Sequence, residues 1–193
     1  MDEKIKVTPE KYSEVLFTWL KMHTNEDALK ATSKYIEYKI PFYGGALKTM
    51  STFVGDTMSF YDRDIKAEFL QELIFVYSAL ICYVSNINLI EDDDRSSIRA
   101  SFVEKVVDRC GSDLSTGGPA FRAHFSEKLK EYSSAITEDE RPKEVSRIFI
   151  DSLPDSGVKN TVKSRSLAAI SFGIFCSELK ETLAKHEIES AST

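Results

Sequence analysis

A chain of 193 residues, 42% hydrophobic and 29% charged, can bury a core without metal or disulfide support and is too apolar to be disordered. Its net charge of −6 is spread evenly: residues 1–100 carry 12 basic and 16 acidic groups, and residues 101–193 carry 13 and 15. Neither half is basic, which excludes a large phosphate-backbone footprint, so no nucleic-acid partner is expected.

The N-terminus, MDEKIKVTPEKY, has no apolar signal region. Thr8 and Pro9 read as N-cap and first helical position. Tyr12, Val15, Leu16, Trp19, Leu20 and His23 then recur at helical spacing, which predicts a first helix over 9–23. Asn25 can cap a second helix, about 26–39. Pro41, Gly44 and Gly45 break the pattern, and a short helix over about 46–54 follows. Asp62 or Asp64 starts a long helix that runs to about residue 90.

The next helix spans Arg99 to Cys110, with Phe102, Val103, Val106 and Cys110 inward and Gly111 as its C-terminal stop. Pro119 opens a helix carrying Phe121, Phe125, Leu129 and Tyr132 on one face. Pro142 opens a shorter one with Val145, Ile148, Phe149 and Leu153. Ser156 caps a last helix, about 158–187, whose apolar residues include Val158, Val162, Leu167, Ile170, Ile174, Phe175, Leu179 and Leu183. No alternating strand pattern, repeat or low-complexity segment is present. The sequence therefore predicts an all-α fold: a bundle of six to eight helices around a long apolar central helix at about 64–90. It forms one domain over 1–187, with 188–193 a disordered tail.

The run from Leu73 to Ile90 is 18 residues without a charge, the lower limit for a membrane span. Ser78, Ser85, Asn86 and Asn88 interrupt it, and its flanks are acidic, with no Lys or Arg beside either end. A helix apolar nearly all round is also what a bundle interior requires, so no membrane span is expected.

The Glu91-Asp92-Asp93-Asp94 cluster behind it invites a cation. Counted as a calcium loop from Asp92, it puts Ser97 where the turn needs Gly and Val103 where a bidentate Glu belongs. Read as a DDxxD magnesium motif, it has Ser96 in the fifth place. The cluster is instead a helix start, with one Asp as cap and its neighbours at the positive dipole end.

His23, His124 and His186 are isolated, and no HExxH, HxxxH, CxxC or GxSxG exists. Glu68 and Glu72, one turn apart, and Glu178 with Glu181 read as solvated acids, because no ExxH partner accompanies them. No metal and no cofactor is expected. Cys82, Cys110 and Cys176 are odd in number, far apart and set among apolar residues, as reduced core thiols of a cytoplasmic protein would be.

The least ordinary feature is aromatic. Tyr35, Tyr38, Phe42, Tyr43, Phe53, Phe60 and Tyr61 crowd a segment that also holds Gly44, Gly45 and Gly55. Tyr supplies large contact area at low entropy cost, so Tyr38, Phe42, Tyr43, Phe60 and Tyr61 are the expected partner-binding residues. The competing use is to plug one end of the bundle. The function expected is a non-enzymatic interaction module, whether adaptor, inhibitor or immunity-type binder, with a protein partner that includes a second copy among the options. The alternative is a helical enzyme or ligand binder whose site gathers Asp62, Asp64, Glu68 and Glu72 with the acidic cluster.

Overall fold

The structure, a computed structural model, describes residues 4–24, 63–88, 92–113, 119–136, 141–153 and 162–188. The expected helices over 26–39 and 46–54 lie outside the described residues. Within them the fold is an all-α bundle of six helices: α1 (Pro9–Thr24), α2 (Arg63–Asn88), α3 (Asp92–Asp113), α4 (Pro119–Ala135), α5 (Arg141–Ser152) and α6 (Val162–Leu183). A short parallel ladder, β1 (Ile5–Val7) and β2 (His186–Ile188), joins the two ends of the described chain.

The start of α1 follows from its sequence. The Thr8 hydroxyl accepts from the Lys11 amide at 3.4 Å, and the Tyr12 amide closes the first turn on the Thr8 carbonyl. Pro9 costs nothing at a position whose amide has no helical partner. Glu10 in the first turn and Lys21 in the last complement the helix dipole. Its buried face is Tyr12, Ser13, Leu16, Phe17, Leu20 and Thr24, turned slightly from the predicted stripe, so that Val15, Trp19 and His23 are only half-buried. α1 lies along α3, where Ser13 Oγ and Ser101 Oγ are 3.0 Å apart and Arg109 reaches Glu14 at 2.7 Å.

α2 packs against all five other helices. Every side chain from Glu72 to Cys82 is buried, so this stretch has no solvent face on which an amphipathic pattern could show. Phe121, Phe125, Leu129 and Tyr132 of α4 are buried against it, Phe75 lying 5.8 Å from both phenylalanine rings. Burial of an aromatic of this size contributes roughly 1.5–3 kcal/mol.

Three expectations are corrected. Gly111 does not stop α3, which runs on to Asp113. A Cβ at Gly111 would come within 3.0 Å of Phe121 Cδ1, so glycine is there to let α4 approach. α6 ends at Leu183, not 187, and after a turn His186–Ile188 forms a strand in register with Ile5–Val7. The ladder's entry is closed by the Ile5 amide on the Lys185 carbonyl at 2.8 Å. Three-residue strands are too short to show alternation, and their pairing partners are at opposite ends of the chain. Third, α3 begins at Asp92, seven residues before the expected start at Arg99. On α6 the core face is Ala168, Phe172, Phe175, Leu179 and Leu183, whereas Ile170 is 42% exposed. The helix is apolar on several sides, so spacing alone could not choose among them.

α3 opens on Asp92, Asp93 and Asp94, which puts the acids in the first turn at the positive end of the dipole.

Candidate functional site

The expected partner-binding residues Tyr38, Phe42, Tyr43, Phe60 and Tyr61 lie outside the described residues, as do Asp62 and Glu91. Asp64 and Glu68 are placed only as positions on α2, and Asp92 and Asp93 only as positions on α3. The site must therefore be sought among the remaining groups, of which three stand out.

The first is Glu72. Spacing made it a solvated acid; it is in fact 6% exposed and held by α4. The Tyr132 hydroxyl donates a short hydrogen bond to Glu72 Oε1, and Lys128 Nζ lies 3.6 Å from the same oxygen. Lys128 also donates to Ser152 Oγ on α5 at 2.9 Å and pairs with Glu131 at 3.0 Å. Burial raises the Glu72 pKa above its ordinary value; Tyr132, Lys128 and, more weakly, His124 oppose the rise. Burial, with Glu72 beside it, drives the Tyr132 phenol far upward. A carboxyl and a phenol in contact is a pairing that acid–base chemistry uses. Here both are buried and each occupies the other, so the cluster works as a polar tie between α2, α4 and α5. The missed signal was Tyr132 itself: an aromatic hydroxyl on a core stripe needs a partner, and Lys128 stands one turn before it.

The second is an aromatic cluster around His23. Its ring lies 4.8 Å from Trp19, 5.0 Å from Phe175 and 6.2 Å from Tyr77, and Tyr77 stacks on Phe175 at 4.3 Å. Nδ1 donates to the Trp19 carbonyl at 2.8 Å. Burial lowers the His23 pKa, against which that hydrogen bond acts, and burial pushes the Tyr77 phenol up to about 12. The neutral ring is packed as an aromatic.

The third is open. Between α2 and α6 lies a cleft of about 220 Å³, lined by Leu80 and Tyr83 from α2, Phe172, Gly173, Cys176, Ser177 and Lys180 from α6, and Ile136 after α4. Beside it runs the outward face of α6: Ser166, Ile170, Gly173 and Ser177, all exposed. From Ser166 to Ser177 the chain has no charge, and Arg165 and Glu178 bound the run. A Cβ at Gly173 would meet nothing within 4 Å. An uncharged helix face open to water, with an exposed isoleucine and a concave apolar wall next to it, is suited to contact rather than to chemistry. The signal available in the sequence was this uncharged run, whose Ile170 the spacing counted among the apolar residues of the helix without giving it a face.

Among the described residues, no group of three or more His, Cys, Asp or Glu could hold a metal ion, and no helix is long and apolar enough to cross a membrane. Cys82, Cys110 and Cys176 are thiols rather than disulfide halves, the first two buried and the third half-buried. Comparison with protein-family models, curated proteins and solved structures finds no match to this chain.

Proposed function

We propose that the chain is a protein–protein interaction module of the cytosol that acts by surface complementarity and without catalysis of its own. The observation that carries this reading is the uncharged outward face of α6, with Ile170 exposed beside the cleft at Gly173. The ionisable groups in the interior support it: Glu72 is engaged by Tyr132 and Lys128, and His23 is packed among rings. Three cysteines held as thiols suit a reducing compartment. The aromatic residues Tyr38, Phe42, Tyr43, Phe60 and Tyr61 support the same reading from composition alone, as further contact residues of the module.

The test is photocrosslinking in native cell extract. A benzophenone amino acid replaces Ser177 on the α6 face or, as control, the exposed Glu127 on α4. A discrete protein adduct at position 177, absent at position 127, is expected. Equal and diffuse labelling at both positions would sink the reading.

A further inference from the structure

We propose that the cleft between α2 and α6 is a binding site for a small amphipathic acid, a free carboxylate with a short apolar body, held by Lys180. The site does not require the α6 face to be a protein interface, and its test uses the purified chain alone.

The cleft has a floor, a rim and one cation. Leu80 and Phe172 are buried, Tyr83, Ile136 and Cys176 are half-buried, and Gly173 and Ser177 are exposed. A concave wall of aliphatic and aromatic side chains with few polar groups is the usual make-up of a small-molecule site. Its volume of about 220 Å³ corresponds to roughly seven waters, below the ordinary range for larger ligands, so the occupant is small. Gly173 keeps this space. Glycine inside a helix is destabilising relative to alanine, and at Gly111 the Phe121 ring accounts for it. At Gly173 no neighbour does: a Cβ would meet nothing within 4 Å, and a longer side chain would take up part of the cleft that Gly173 lines. A helix that gives up stability to stay open beside an apolar floor leaves room for a ligand to approach its backbone.

Lys180 sets the charge of the occupant. It is half-buried in the lining. The positions one turn away, Cys176 and Ser177 before it and Leu183 and Ala184 after it, are uncharged, and α2 carries no charge from Leu73 to its end. Glu178 and Glu181 stand two before and one after Lys180, positions that do not share a helix face with it. Among the described residues no carboxylate pairs with it. A cation on an apolar wall without a counter-ion favours a ligand that brings its own carboxylate, and Ser177, one turn before, adds a hydroxyl. Glu138, Asp139 and Glu140 follow Ile136 in the sequence and lie outside the described residues. They would favour a cationic ligand instead, an outcome that the test separates.

The test is titration of the isotope-labelled full chain under reducing conditions with hexanoate, hexanol, hexylammonium and acetate, followed by amide shifts in NMR spectra. Hexanoate is expected to bind saturably with a Kd of about 1 mM, as suits a ligand of so few atoms, and to shift the amides of Leu80, Tyr83, Gly173 and Ser177. Hexanol, with the body but not the charge, binds several-fold more weakly at the same residues. Hexylammonium and acetate give no saturable shift. Lys180→Gln brings hexanoate down to the level of hexanol and leaves hexanol unchanged, whereas Lys180→Arg keeps the preference. Gly173→Leu weakens hexanoate and hexanol alike. It puts a better helix former into open space, so its unfolding midpoint stays at or above that of the wild type; should it unfold, the two Lys180 variants decide the point without it. Absence of saturable hexanoate binding up to about 20 mM overturns the proposal. So does hexanol or hexylammonium binding as tightly as hexanoate, a set of shifts away from the cleft, or hexanoate binding indifferent to Lys180→Gln.

Discussion

Replacing Tyr132 by Phe removes one oxygen from the core and leaves the ring that packs beneath α2. The Glu72 carboxylate then loses its closest donor and keeps Lys128, at 3.6 Å, which is shared with Ser152 and Glu131. A hydrogen bond to a charged, buried acceptor is worth about 1.5–3 kcal/mol, so Tyr132→Phe should lower stability by about 2 kcal/mol at neutral pH. With a urea m-value of about 2 kcal/mol/M, the unfolding midpoint falls by about 1 M. In a Glu72→Gln background the bond is between neutral groups, and the same substitution should cost only about 1 kcal/mol. The difference is the coupling between the two side chains, read from a double-mutant cycle by urea unfolding under reducing conditions. Because Glu72 has a raised pKa in the folded state, the stability linked to its protonation is fully present below the ordinary value of 4.5 and is lost as pH rises through the folded value. Gln does not titrate, so the advantage of the wild type over Glu72→Gln should shrink between pH 4 and pH 8. Equal costs of Tyr132→Phe in both backgrounds, or a gap that widens with pH, would refute the tie between α2 and α4 as described.

The two glycines should respond in opposite directions to Ala. Gly111→Ala puts a methyl 3.0 Å from the buried Phe121 ring and should destabilise by about 1 kcal/mol, whereas Gly173→Ala enters open space and should stabilise by a similar amount; thermal unfolding of both variants checks this. Cys82, buried and pushed up to about 11, should resist a thiol reagent in the native state, while half-buried Cys176 reacts first, as mass spectrometry of partially modified protein would show. Ile5→Pro removes the amide that donates to Lys185 and little packing, since Ile5 is 55% exposed; a loss of about 1 kcal/mol and faster hydrogen exchange at Glu187 and Ile188 should follow, and unchanged exchange would deny the ladder.

The amino-acid order alone determined the class of fold and most helix starts. Thr8-Pro9 and Pro119 are local signals whose meaning does not depend on what packs against them, and both helices begin there. The stripe Phe121, Phe125, Leu129, Tyr132 was legible because α4 has one buried face and one wet one, which is the condition under which period reveals orientation. Where that condition fails, sequence has no way to choose. α6 is apolar on several sides, so only its neighbours decided that Phe172 and Phe175 turn inward and Ile170 outward. The role of Gly111 was settled by a phenylalanine from the next helix, and that of Glu72 by Tyr132 and Lys128, some sixty residues on. The β1–β2 ladder joins residues at opposite ends of the chain and leaves no local trace. Caps and periodicity are written in neighbouring residues; burial of a charge, closeness of two helices and openness of a face are properties of pairs of elements, and only the packed chain sets them.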